Sequence, residues 1–236
     1  MGKSGVSFFD RLLDLVSPRF CVVCGQRLAV CEQTLCSPCL MHLPFTGFEQ
    51  NALENIMARM FWGHIPIERA AALFYYEAAS GPSHILYELK YHNHPEIGET
   101  MGQLQATLLA HSGFFEGIDA LVPVPLAKSR ERQRGYNQSF MLARGISKVT
   151  ALPILDKAVV RTNFAESQTQ LRHWERLDNV EHAFTLRDAA AISGKHLLLI
   201  DDVVTTGATT TACARELLKA PAVTVSILSL AFTMNA

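Results

Sequence analysis

The sequence predicts an α/β protein, a doubly wound and mainly parallel sheet preceded by a small four-cysteine zinc module. Three observations carry this. The apolar run at residues 197–200 is too short for a helix and reads as a strand buried on both faces. It leads into two acids, a Thr/Gly turn and a segment of helical composition at 208–219, the strand–loop–helix order of an open α/β sheet. Five of the six cysteines lie between Cys21 and Cys39, so they are not scattered core thiols.

The N-terminal stretch places Phe8, Phe9, Leu12, Leu13, Leu15 and Val16 among Asp10, Arg11 and Asp14. That is an amphipathic helix and not a signal peptide. Met1-Gly2 starts like a myristoylation site, but Val6 stands where Ser or Thr is required. No apolar stretch approaches the roughly 20 residues of a membrane helix, so the expected location is cytoplasmic with no membrane insertion. A chain of 236 residues with 49% hydrophobic and 18% charged residues can bury a substantial core, which excludes overall disorder.

The cysteines follow as Cys21-Val-Val-Cys24, eleven residues, then Cys36-Ser-Pro-Cys39. Each Cys-x-x-Cys turn lets two thiolates converge on one tetrahedral ion, and zinc suits four thiolates because it is soft and redox-inert. A disulfide framework fits poorly with a chain lacking a secretion signal. Cys31 is a fifth candidate, and Cys213 reads as a buried apolar thiol. So small a loop cannot fold on an apolar core, which couples its folding to metal. Residues 43–47 read as the exit from the module and 51–60 as a helical connector. The expected boundaries are 1–47 for the N-terminal helix and zinc module, and 48–236 for the α/β domain.

The sheet domain begins from a charge bias. Net charge is −1, but residues 1–120 hold 7 Lys/Arg against 12 Asp/Glu and the remainder 14 against 10, which assigns any anion to the second half. Pro123 and Pro125 fix an extended exit from a strand at 118–122. The basic run that follows carries Lys128, Arg130, Arg132, Arg134, Arg144 and Lys148 against Glu131 alone. Guanidinium groups such as Arg130 and Arg134 suit an oxyanion better than lysines do. Asn137 and Gln138, opening a helix at 136–148, can donate amides to the same anion or serve as caps. The polar stretch 162–179 has the composition of a lid.

The sharpest feature is the strand end itself, Asp201-Asp202-Val203-Val204-Thr205-Thr206-Gly207-Ala208-Thr209. Free N–H groups and the dipole at the next helix's N-terminus suit a phosphate, with Thr205, Thr206 and Thr209 adding hydroxyls and Gly207 permitting close approach. Two acids beside that nest would repel a phosphate unless they held something else, and carboxylates suit sugar hydroxyls. The reading is a sugar-phosphate site. It is not a P-loop, because the Gly-Lys-Ser/Thr signature is missing. Tyr91-His92-Asn93-His94 only superficially looks like a nuclease motif, and no Ser-His-Asp or GxSxG arrangement points to a covalent hydrolase.

Residues 197–209 resemble the phosphoribosyl pyrophosphate (PRPP) motif of type I phosphoribosyltransferases. The resemblance implies that Asp201 and Asp202 hold the ribose hydroxyls and the loop Val203 to Thr209 the 5'-phosphate. Val122-Pro123-Val124-Pro125-Leu126, Arg130 and Arg134-Gly135-Tyr136-Asn137-Gln138-Ser139 are similar to a segment of the ComF/GntX-like competence-associated proteins. Arg161-Thr162 through Gln168, Leu171, Arg176, Asn179 and Ala183-Phe184 looks like their next segment. Tyr136 stands where many relatives have Phe. Leu89-Lys90-Tyr91 resembles a further family feature and adds Lys90 to the PRPP-binding set, with Pro125, Asn137 and Gln138.

The expected function is therefore PRPP binding with Mg²⁺ and displacement of pyrophosphate, in DNA uptake or in DNA and nucleotide utilisation. Arg130, Arg134, Arg161, Gln168 and Arg176 are the expected catalytic set. The alternative is a non-catalytic protein of this fold that binds single-stranded nucleic acid or a partner of the DNA-uptake machinery.

Overall fold

A computed structural model of the chain describes residues 17–162 and 183–234. The expected N-terminal helix and nearly all of the expected lid, including Gln168 and Arg176, lie outside the described residues. The sheet has four strands, β1 (Ala70–Tyr75), β2 (Ala120–Pro123), β5 (His196–Val204) and β6 (Thr224–Phe232), in the order β1-β6-β5-β2. All its pairings are parallel. The runs in β1, β2 and β6 are buried almost throughout, as sheets covered on both faces require. A separate antiparallel ribbon joins β3 (Val159–Arg161) to β4 (Phe184–Leu186).

Connection geometry creates the crevice. From β2 the chain passes through α6 (Gln138–Thr150) to Ile154, which bridges Leu121 in parallel outside the sheet's edge. From β5 it passes the opposite way, through α8 (Ala208–Leu217), to β6. Right-handed crossovers put these helices on opposite faces. The carboxyl ends of β2 and β5 therefore part at a topological switch point, where open α/β sheets bind ligands.

On one face α6 packs against α4 (Pro95–Leu109) with backbones in contact. A methyl group on Gly145 would lie 2.0 Å from the Glu99 carbonyl oxygen, so only glycine permits this approach. Salt bridges from Arg144 (3.2 Å) and Lys148 to Glu99 clasp the same pair. The basic run thus divides, its last two members serving helix packing.

The cysteine segment meets the outer edge of β1. Tyr75 N–H donates to the Pro44 carbonyl, Thr46 N–H to the Leu73 carbonyl, and Phe45 forms an antiparallel bridge with Phe74. Its apolar residues Leu28, Leu35 and Leu43 are continuous with the core of the sheet.

Two expectations are corrected. The single helix at 51–60 is instead a 3₁₀ turn (Phe48–Asn51) followed by α2 (Ile56–Phe61), because Asn55 accepts from Ala58 N–H and starts the helix there. The strand does not end at the acids. β5 continues through them, since β6 is long enough to pair Asp201 with Ser229 and Val204 with Phe232.

Candidate functional site

The two knuckles converge. The thiol sulfurs of Cys21, Cys24, Cys36 and Cys39 all lie within 4.8 Å of one another, and Cys31 is exposed and outside the cluster. Burial alone would raise the Cys21 thiol, but backbone N–H groups of Cys36, Cys24 and Val23 outweigh it and bring it down to about 7. N–H groups aimed at sulfur favour the Cys21 thiolate, while burial and the neighbouring thiols raise Cys39, and the convergence of four sulfurs is what fits a soft divalent ion. Glu32 buttresses the second knuckle by accepting from Ser37 N–H and Ala29 N–H. Cys213 is fully buried in α8, the apolar thiol expected there.

At the carboxyl ends of β2 and β5 lies a pocket of about 200 Å³. Every described candidate from the sequence, apart from the cysteines, lines it. Asp201, Asp202, Val203 and Val204 come from the end of β5, Thr205, Thr206 and Gly207 from the following loop, and Ala208 and Thr209 from the first turn of α8. Pro125 comes from the exit of β2, and Lys90 from the last turn of α3 (Ser83–Tyr91). Arg130 and Arg134 are four apart on α5 (Lys128–Arg134), so they share one face of that helix. Asn137 caps α6, Gln138 begins it, and Arg161 ends β3.

Among the described residues the site is net positive, with Lys90, Arg130, Arg134 and Arg161 lining it against Asp201 and Asp202. Lys90 Nζ lies 3.2 Å from Asp202 Oδ2. Burial, with Asp202 beside it, pushes the Asp201 carboxyl up to about 7. Burial and the neighbouring Arg130 depress Arg161, whose guanidinium sits over the Phe184 ring at 5.3 Å. Arg134 stacks over Tyr91 at 5.5 Å and donates to Gln138 Oε1 at 3.0 Å. Gly207 adopts φ +73°, which turns the chain into α8, and Ala208, Thr209 and Thr210 of that helix's first turn line the pocket.

Three residues gain roles in the structure that the sequence does not assign. Ser139 and Thr210 both donate to Asp201, and Tyr136 donates to the Leu89 carbonyl at 2.6 Å, tying the start of α6 to the turn that carries Lys90. Thr210 lies one position beyond the motif and was within reach of a helical-spacing argument. Ser139 closes the segment 134–139 that carries the family resemblance, which marks the residue without naming its partner. The histidines take the bland role, His94 pairing with Glu96 at 2.6 Å and His92 lying 3.7 Å from Glu88.

No family model matches the chain. It is 28% identical over 230 residues to the DNA utilization protein YhgH of Shigella flexneri, covering 93% of this chain and all of that protein. Competence protein F of Haemophilus influenzae is 26% identical, over 80% of this chain and 86% of its own. Competence protein ComFC of Bacillus subtilis reaches 40% over 111 residues, 47% of this chain and 43% of its own. Among solved structures, an adenine phosphoribosyltransferase from Leishmania tarentolae aligns with a TM-score of 0.38 at 13% identity, covering 64% of this chain and 74% of that one. The similarity spans 93% of this chain for the DNA utilization protein and 80% for competence protein F, in keeping with the ComF/GntX-like resemblance of its motifs.

Proposed function

We propose that the protein binds PRPP with Mg²⁺ and transfers its phosphoribosyl group to a nucleophile with release of pyrophosphate, in DNA uptake or in DNA and nucleotide utilisation. One observation carries this reading: separate segments of the chain, each singled out by chemistry suited to one part of PRPP, meet in a single pocket. The α8 N-terminus with Thr205, Thr206 and Thr209 suits the 5'-phosphate. The acid pair suits the ribose hydroxyls, and Arg130, Arg134 and Arg161 suit the pyrophosphate.

In this mechanism no side chain acts as a nucleophile. The nest and the acids fix the sugar, so that a bound acceptor meets C1 in one orientation. Arginines preorganised around the leaving group stabilise the charge that develops on it. Gln168 and Arg176 belong to the same proposed set. Mg²⁺, when bound, would neutralise charge across the ligand's pyrophosphate and ribose oxygens. The cysteine cluster would hold zinc as a closed structural site.

The names of the relatives favour a second reading, a protein of this fold that binds a phosphoribosyl group without turnover while docking single-stranded DNA or a partner of DNA uptake. A pyrophosphate-release screen with PRPP, Mg²⁺ and candidate bases, amines and nucleic acids separates the two. Release that disappears in Arg134→Ala supports transfer. PRPP binding without release, accompanied by salt-dependent binding of single strands, supports the second reading. Calorimetry that finds no PRPP binding overturns both.

A further inference from the structure

The pocket contains two adjacent polar pairs, and in each the two members have different surroundings. Asp201 is 8% exposed and its oxygens are taken. Oδ1 accepts from Ser139 Oγ at 3.3 Å and from Asp202 N–H at 2.9 Å, while Oδ2 accepts from Thr210 Oγ1 at 3.2 Å. Both hydroxyls are themselves buried. Asp202 is more open, and its Oδ2 faces the Lys90 ammonium in the pocket.

The amide pair is divided too, by hydrogen bonding and not by exposure. Asn137 Oδ1 accepts from Ser139 N–H and its Nδ2 donates to the Val124 carbonyl, each at 3.0 Å. Both ends of that amide join α6 to the exit of β2. Gln138 is 1% exposed, and its Oε1 is held by Arg134. Its Nε2 is buried with no hydrogen-bond partner among the described residues. A buried amide donor left without an acceptor is destabilising, and its position in the pocket wall supplies a reason to retain it.

Building on the function proposed above, we infer that each pair is divided: Asp202 and Gln138 meet the ligand, whereas Asp201 and Asn137 are positioning residues that hold them. One carboxylate then reads the sugar, in place of the two the motif suggested. Ser139 serves both frames, its hydroxyl holding Asp201 and its N–H holding Asn137. A ribose hydroxyl donating to Asp202 takes over the oxygen that Lys90 now holds. The freed ammonium then faces the anionic end of the same ligand. Gln138 Nε2 donates to that anionic end beside Arg134.

Two measurements on the full-length, metal-loaded protein test the division. Carbodiimide coupling of glycine ethyl ester, read by fragment-ion mass spectrometry, should label Asp202 at least about tenfold faster than Asp201, as their burial and hydrogen bonding require. Calorimetry with PRPP and Mg²⁺ should find affinity lowered about tenfold or more by Asp202→Asn and by Gln138→Leu, the loss of one charge-assisted contact. Asp201→Asn should cost clearly less than Asp202→Asn, because its amide can still accept from Ser139 and donate to a reoriented Thr210 hydroxyl. Asp201→Ala should lose affinity, so that rescue by Asn identifies positioning. Equal labelling of the two acids, or equal damage from the two Asn variants, overturns the inference. If wild type binds no PRPP, the proposed function fails, and the labelling ratio alone still decides whether the acids are divided.

Discussion

Gly207→Ala probes the turn that aims α8 at the pocket. Two separable penalties arise. The residue sits at φ +73°, where a non-glycine residue costs about 1–2 kcal/mol. Its new methyl would also meet Phe61 Cε1 at 3.0 Å and Met60 Sδ at 3.1 Å on α2, and overpacking of this kind costs about 1–3 kcal/mol. Gly194 supplies the control, with φ +70° and nothing within 4 Å of the position its Cβ would occupy. Gly194→Ala should therefore lose only the conformational part, about 1–2 kcal/mol. Urea unfolding with matched m-values should show Gly207→Ala less stable than Gly194→Ala by about 1–3 kcal/mol. Equal losses would mean that α2 does not press on the turn and would refute the packing argument. The same variant should weaken binding of ribose 5-phosphate, since relief of the contact displaces the first turn of α8.

Three further outcomes are expected. Metal analysis of the purified protein should find zinc, and Cys36→Ser should lose it together with protease resistance of the cysteine segment; metal-free wild type would refute the site. Arg134→Ala should weaken PRPP about tenfold or more, the worth of one charge-assisted contact, while calorimetry finds ribose 5-phosphate little affected. Equal loss of both ligands would place Arg134 elsewhere. Asp201 is raised to about 7 in the fold, above its unfolded value of about 3.9, so the folded state holds a proton that the unfolded state releases. That contribution is complete below about pH 4 and is lost as pH rises through 7. Urea midpoints should therefore show Asp201→Asn gaining on wild type between pH 5 and pH 8, and a gain in the opposite direction would refute the assignment.

Much of the fold and site was legible because the chemistry is written locally. The PRPP-like motif occupies contiguous residues, and the knuckles need only two short spacings. What stayed hidden depends on contacts between distant segments. Ser139 reaches Asp201 across 62 positions, and no periodicity in a helix's first turn announces that partner. The pressure of Met60 and Phe61 on Gly207 likewise exists only once α2 is placed against the turn. Strand length was misjudged for a related reason. Asp201 and Asp202 interrupt the apolar pattern of β5, but the ladder is held by backbone groups, and Ser229 of β6 tolerates an acid beside it.

The seam between the cysteine segment and β1 has a consequence for what metal loss would do to the whole protein. β1 is a terminal strand of the sheet, and outward backbone groups of Leu73 and Tyr75 are taken by residues 44–46, which leave the cysteine cluster directly. An uncovered edge strand is a template for pairing with another chain, and this one is nearly all apolar. If thiol oxidation or chelation loosens the module, these main-chain donors and acceptors become available to a second molecule. An ion held by the four cysteines would then guard against polymerisation from a distance, and the first sign of its removal would be edge-to-edge assembly rather than an altered pocket.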